Sequence, residues 1–558
     1  VPGCSGVTDG STDYCFTPTI HTGNLALFYF GDELPSYSEC QGDCDSDSEC
    51  PTGMRCFQRG SSNANARIPN CDGTGTPGED YCYQPEGTPP PPPPPPAPTT
   101  HVPTATPTAC PESPEVTSQP TGPVTYQPGK KTAVSEDTHV ALSAGLTARV
   151  IAMAGSPVNL AGGGQSAESF HSKPDGAAVF QDGCGGWSYV SNSEAGSSTS
   201  YTGGVGAIFF NALGEVTGYR MIQKNTRRNC SGGKTWWGTW VTCEECGSTG
   251  GVFEVHPKGH SNGDATIKRN TLLGRRNGRS GGNYEGVAYY NPSPTDPNVR
   301  PTFYLTEDAT SGPLERFRPS NAVLADAIAN NDFYKLLHDD PDGTAVTDYL
   351  NLVSWESDDN SLTHYGNFDW SPDFSVGRTN ANLYFQKCEG IDVRNGMLYM
   401  TCKTNKQFFI LDLEAQTYVE SHTDGRNVTS SGTDVTTTGP FTGQPDQIRA
   451  VLNDTDDTLV YFCEDVGDKA GIHAKNSTGQ FYTIAQDEGG FHSGETTGLA
   501  FSPDHKHMYV AWQSRGYIYD ITREDGRKFG GETLTIQYHG KNPGANEFIY
   551  RFLRKRKD

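Results

Sequence analysis

Five carboxylates each stand at the opening of an apolar strand: Asp175 in Asp-Gly-Ala-Ala-Val-Phe, Glu285 in Glu-Gly-Val-Ala-Tyr-Tyr, Glu389 in Glu-Gly-Ile-Asp-Val, Asp446 in Asp-Gln-Ile-Arg-Ala-Val and Glu495 in Glu-Thr-Thr-Gly-Leu-Ala-Phe. A second group of acids closes apolar strands: Glu194, Glu245, Glu307 with Asp308, and Glu464 with Asp465. Any single one of them reads equally well as a turn residue capping backbone amides. Five at the same position of a repeat shift the set toward a shared site. Several like charges a few ångströms apart repel strongly in a partly buried place, and bound cations would keep them ionised. Hard carboxylate oxygens favour calcium, and a nearby thiolate would bring in a transition metal.

Such a site needs a fold that brings distant segments to one axis. Six segments share one template, an apolar strand ending in a polar or acidic cluster, at 187–194, 239–245, 303–308, 398–402, 460–465 and 508–513. Most follow a turn and a strand that opens on one of the five acids. Strand, turn and strand repeated at long intervals predict an all-β fold, a six-bladed β-propeller with long insertions, over residues 131–558. In a propeller each innermost strand starts beside the central channel, so equivalent strand starts converge. One capped amphipathic helix is expected, Ser320-Asn321 followed by AVLADAIANNDFYKLL.

The chain of 558 residues carries a net charge of −24, which argues against a nucleic-acid binder. Eight of its 16 cysteines fall within the first 82 residues, and that clustering implies an oxidising compartment and an extracellular, secreted or cell-surface location. No apolar run is long enough to span a membrane. The start at Val1, without methionine or signal peptide, reads as a processed or partial chain. Residues 1–15 and 68–82 share an aliphatic-Pro-x-Cys opening and a closing Asp-Tyr-Cys, so 1–86 is read as a disulfide-rich module present as one fragment and one full copy. Cys4 and Cys15 can pair in the fragment; Cys40, Cys44, Cys50, Cys56, Cys71 and Cys82 can pair in the copy, with the connectivity left open. The alternating acids Asp43, Asp45, Asp47 and Glu49 read as a solvated loop rather than an EF-hand, because Ser48 and Met54 occupy the positions of its Gly and Glu. Residues 87–130 form a Pro/Thr-rich linker, a polyproline II rod read either as a spacer or as a glycosylated stalk. N-glycosylation sequons stand at Asn229, Asn427, Asn453 and Asn476, and 427–438 is a candidate for O-linked sugars. The basic end RFLRKRKD reads as a processing site, a tail seeking an acidic neighbour, or a solvated terminus.

The stretch NCSGGKTWWGTWVTCEE (229–245), followed by GGVFEVHP, EGVAYYNP, FYLTED and PLERFRP, resembles the PhoX-type alkaline phosphatases, in motif order across about residues 131–520. The resemblance implies a six-bladed propeller with iron and calcium at the channel mouth, cleaving phosphate monoesters. It implies Cys243 as the iron-ligating cysteine, and Glu285, Glu307, Asp308 and Glu389 as acidic metal positions. The sequence departs from that pattern: Tyr284 replaces the family's His before Glu285, Ser193 the His before Glu194, and Lys387-Cys388 the Arg-Pro before Glu389. A lysine offers charge without the bidentate fork of arginine, so the catalytic set Cys243, Lys387 and Glu389 lacks the expected phosphate clamp. Cys230 and Cys246 bracket the hairpin as a candidate disulfide that leaves Cys243 free; Cys388, Cys402 and Cys463 are further candidates. The favoured expectation is a glycosylated subunit that self-associates into a helical or linear extracellular assembly. The alternative is an active calcium- and iron-dependent phosphatase. A carbohydrate- or surface-binding role rests on Trp236 and Trp237 alone.

Overall fold

The computed structural model describes residues 126–530 apart from 133–134, 136, 197–202, 261–262, 276–280, 358–363, 424–425, 429–433, 437–440, 451–459 and 476–480, and, upstream, four short strands at Cys4–Ser5, Leu25–Ala26, Arg55–Phe57 and Tyr81–Tyr83. The chain divides into two compact units, 1–109 and 110–558. In the first, Cys56 stands opposite Cys82 in an antiparallel strand pair and is disulfide-bonded. The other expectations for the cysteine module, the acidic loop, the proline run and the basic C-terminus lie outside the described residues.

The second unit is a ring of antiparallel sheets. Six inner strands surround its axis: Pro174–Gln181, Asn229–Lys234, Tyr284–Tyr290, Cys388–Arg394, Gln444–Ala450 and Thr496–Phe501. Each packs beside the next, and the last returns to the first. The propeller expectation holds, but hydrogen bonding groups the strands less evenly than six equal blades. The second sheet has three strands, while His364–Ser371 joins the third and fourth blades into one ten-stranded sheet. Leu146–Met153 closes the ring by pairing with Tyr517–Arg523, so the last blade is built from both ends of the unit. The unit also begins before residue 131: Gln127–Lys131 extends the fifth blade, and Tyr126 is buried with its ring 6.1 Å from that of Phe529.

An inner strand is covered on both faces by neighbouring blades, so apolar/polar alternation disappears from it. Pro174–Phe180 is buried without interruption. Between the first and last blades, Ala177, Tyr189, Tyr509 and Ala511 form one apolar layer. Each ring removed from water there contributes roughly 2 kcal/mol.

The predicted helix is present but shorter, Asn321–Asn330. Ser320 Oγ accepts from Val323 N at 3.2 Å, and Asn331 ends the helix in the left-handed conformation; a separate turn, Lys335–His338, follows. A second helix that the sequence reading missed, Phe374–Tyr384, is capped by Asp373, whose carboxylate accepts from Ser375 N at 2.8 Å.

Candidate metal centre

Every inner strand breaks register once with the strand that follows it. The shifts fall between Pro174 and Ala177, Asn229 and Gly232, Tyr284 and Val287, Cys388 and Ile391, Pro445 and Ile448, and Thr497 and Ala500. A β-bulge re-aims a side chain and bends the strand. The first bulged residues are Asp175, Cys230, Glu285, Glu389, Asp446 and Gly498, so five of the six inner strands carry a ligand-type residue at this position. Gly498 is the exception for a steric reason: its φ is +66°, and a Cβ there would strike the Tyr189 hydroxyl. Glu495 reaches the centre from the loop before its strand.

The bulges are clasped from the preceding blade. Asn192 Nδ2 donates to Cys230 O at 2.9 Å, Thr306 Oγ1 to Glu389 O at 2.7 Å and Thr401 Oγ1 to Asp446 O at 2.6 Å. The disulfide Cys388–Cys402 bridges two strands of the fourth blade beside Glu389 and Lys403. The sequence offered these two cysteines only as candidates. Replacing both by Ser is expected to cost about 3 kcal/mol for a closed loop of this size, read from urea denaturation of the oxidised protein and the double variant.

Three overlapping sets of side chains bring ligand atoms within 4.8 Å of one another: Asp175, Glu194 and Glu495; Glu194, Cys230 and Glu245; and Glu245, Glu285 and Asp308. Glu194 and Glu245 are shared, so the sets form one continuous well. Burial, joined by the charges of Glu495, Glu194 and Glu389, pushes the Asp175 carboxyl far above its ordinary range. Burial and Glu389 do the same to Glu285. Burial outweighs Lys403 in raising Glu389 to about 8, and burial with Asp465 raises Glu495 to about 7. Asp446 is also raised by burial, against Lys403. The Cys230 thiol is pushed up by burial and then by Glu285, Glu194, Asp175 and Glu245.

Polar residues that the sequence reading did not single out complete the well. Lys403 Nζ lies 2.8 Å from Glu389, 3.2 Å from Asp465 and 3.9 Å from Asp308. Burial opposes its charge, and Glu389, Asp446, Asp465 and Glu285 outweigh burial. Gln447 Nε2 donates to Asp175 at 2.5 Å; Gln513 Nε2 donates to Asp175 and to Glu194, both at 3.2 Å. Lys173, Arg228 and Lys387 sit two residues before Asp175, Cys230 and Glu389, each in the left-handed conformation with φ of +51°, +44° and +58°. Such strain in non-glycine residues concentrates at functional sites. A basic residue at minus two was a readable signal, but only with the bulge position known. Lys387 itself is half exposed, 3.4 Å from Asp308, and Arg228 pairs with Glu245 and, at 3.5 Å, with Glu194.

Several expectations need correction. Cys243 is fully buried among Val241, Val252, Leu273 and Tyr284, in the apolar layer between blades, and belongs to none of the ligand sets. The thiol at the centre is Cys230. The two differ because Cys230 occupies a bulge facing the axis, whereas Cys243 lies in a regular strand opposite Val252. Cys230 and Cys246 are both free thiols rather than a disulfide. Cys230 Sγ faces Glu245 at 3.7 Å and Cys246 Sγ faces Arg227 O at 3.6 Å, because the antiparallel register places Cys246 opposite Arg227, three residues from Cys230. Cys463 is also a free, buried thiol.

Glu464 is not a centre ligand either. It accepts from Thr442 N, Gly443 N, Gly471 N and His473 Nε2 at 2.5, 2.6, 3.0 and 3.0 Å, a fully employed structural carboxylate. Burial raises its pKa, and His473 with the amides brings it below the ordinary value. Glu307 accepts from Asn283 N at 3.3 Å and stands outside the three sets. The sequon at Asn229 is closed to glycosylation: the side chain is buried and donates to Thr242 Oγ1 at 2.9 Å. The side chains of Asn427, Asn453 and Asn476 lie outside the described residues.

No protein-family model matches the chain, and no curated protein does. Among solved structures it is similar to Pseudomonas fluorescens PhoX in complex with vanadate, a transition state analogue, over 73% of this chain and 100% of that one, at 15% identity and a TM-score of 0.50. Weaker likenesses reach a pyranose dehydrogenase PQQ domain from Coprinopsis cinerea (69% and 97% covered, 11% identity, TM-score 0.34) and a gluconolactonase from Xanthomonas campestris (67% and 97%, 11%, 0.33). At these identities the likeness is one of fold.

Proposed function

We propose that the well is a resident multi-cation centre and that it acts on phosphate monoesters. The observation that carries this reading is the trio of overlapping ligand sets, drawn from four neighbouring parts of the ring on a scaffold with the fold of a PhoX. The donor set fits hard cations: carboxylates from several directions, with the buried oxygens Glu389 Oε1 and Asp308 Oδ1 lacking an aligned hydrogen-bond donor despite the ammonium groups nearby. It also fits one thiophilic ion, since Cys230 is the single sulfur among the ligand sets. Cations held by Asp175, Glu194, Glu245, Glu285 and Asp308 would supply charge neutralisation and polarisation of a phosphoryl oxygen. The side chains around them do the rest. Lys387 and Arg228 stand at the rim, where they attract an anionic ester and orient it as point charges and as a guanidinium. Lys403 sets a positive charge against Glu389 and Asp465 inside the well.

Elemental analysis of purified protein together with hydrolysis of an aryl phosphate tests this reading. Bound calcium or a transition metal with turnover above background is expected; a metal-free protein at background turnover overturns it. Cys230→Ala is expected to abolish any thiolate-to-metal charge-transfer band. Cys243→Ala should leave the band in place and cost about 1 kcal/mol of stability as an ordinary core truncation.

A second reading has its own observation. Lys403 fills part of the well with a built-in cation, as a purely structural centre would. In that reading the well, calcium-filled, stiffens a secreted, disulfide-bearing propeller in a self-associating assembly. Among the described residues no helix is long and apolar enough to cross a membrane. Electron microscopy and light scattering would show long polymers; a monomer at high concentration overturns it.

A further inference from the structure

The inner strands run away from the acidic well for six to eight residues, so their far ends open on the opposite face, roughly 20 Å off. That face carries three depressions that share walls. The first, about 810 Å³, is lined by Arg220, Lys258, Arg269 and Tyr334, among others. The second, about 580 Å³, shares Trp237, His256 and Lys258 with it. The third, about 370 Å³, lies at the far channel mouth, shares Gln181 and Lys234 with the second, and is lined by Arg394 and Arg449. Together they form a track from the outer edge of the second blade to the axis.

The charge of this track runs against that of the protein. The chain is −24 overall, yet six Lys and Arg side chains line the track against three acids, Glu254, Asp332 and Asp182. Among the described residues, ion pairs engage other groups and leave Arg220, Lys234, Lys258, Arg269 and Arg449 without a carboxylate partner. The positive field is felt locally: burial, then Lys258 and Arg269, lower the His256 pKa.

The cations alternate with oriented rings. Arg220 lies over Phe209 at 5.4 Å, Lys234 over Phe180 at 5.0 Å and Arg269 over Tyr334 at 5.1 Å. Trp237 is held in place from below. Its Nε1 donates at 2.6 Å to Glu254, a carboxylate 3% exposed whose other oxygen meets His338 Nε2 at 2.8 Å. A buried acid used to fix a half-buried indole at the wall of an open depression is a built feature, and a fixed ring loses little entropy when a ligand stacks on it.

We propose that this track binds an anionic polysaccharide, with its acid groups on Arg220, Lys258 and Arg269 and its sugar rings against Trp237. Cations separated by rings suit a chain with a charge on each sugar or so.

The test uses the full chain, titrated with alginate (carboxylate) and heparin (sulfate), and with dextran, poly-glutamate and single-stranded DNA, following tryptophan fluorescence and calorimetry. At least one acidic polysaccharide is expected to bind at low salt, to weaken steeply with salt, and to leave dextran far behind; which of the two binds more tightly identifies the acid group. The double variant Arg220→Glu, Lys258→Glu should raise Kd at least about tenfold, and Lys258→Ala less; both side chains are exposed, and an unchanged thermal transition shows the fold intact. No binding of either polysaccharide, binding unaffected by the charge reversals, or equal binding of poly-glutamate or DNA overturns the proposal. None of these outcomes depends on metal content or phosphate turnover.

Discussion

Metal-free protein is expected to lose stability between about pH 5 and about pH 8, whereas protein with excess calcium should gain stability over the same window. The sign follows from the folded pKa values. Glu389 is raised to about 8 and Glu495 to about 7, and Asp175, Glu285 and Asp446 are raised as well, burial being the first cause in every case. In the unfolded chain the same groups titrate near their ordinary values, about 4. The folded state therefore binds more protons across this window. Its contribution is complete below the unfolded pKa and is lost as pH rises through the folded ones, by several kcal/mol in sum. Bound calcium reverses the sign, because it holds the same carboxylates ionised and competes with protons. Urea midpoints at several pH values, in chelator and in excess calcium, should show opposite slopes. Parallel slopes would remove cation binding from the account of the well.

The second large effect is expected at Lys403. Its ammonium meets Glu389, Asp465 and Asp308, with the lysine side chain 15% and Glu389 3% exposed. Lys403→Met leaves those carboxylates without their internal counter-ion, and breaking a buried pair by removing one partner costs about 3–5 kcal/mol. Calcium should restore part of the loss in the variant. The double variant Lys403→Met, Glu389→Gln should recover part of it without metal, since the orphaned charge goes with its partner. A single variant as stable as the parent in chelator would show that Lys403 does not neutralise the well. The same residue adds to the expectation of bound cations, because one positive charge beside these acids is already part of the chain.

Much of the centre was legible because a propeller repeats its geometry. An acid at the start of an apolar strand recurs in register with the fold, so Asp175, Glu285, Glu389, Asp446 and Glu495 could be gathered without coordinates. The thiol was misplaced because Cys230 and Cys243 both lie in one hairpin motif, and neither residue type nor spacing states which side of a strand faces the ligand sets. Lys403 follows a strand end with no acid near it in sequence, so nothing local marks it as part of the well. Glu464 shows the converse error: its spacing matches the other strand-end acids, but four local donors consume it.

The sequence by itself determined the repeated strand pattern, hence a propeller, and the set of acids that open its blades, because alternation, turns and charge are local properties of the chain. Only the tertiary structure decided that a bulge in each inner strand falls at the same position and brings a ligand-type residue there in five of the six, that Cys230 rather than Cys243 joins a ligand set, and that Lys403 shares the well. Those outcomes depend on how strands from separate blades meet, and a bulge shifts the facing of a side chain by one residue, which no pattern of residue types records.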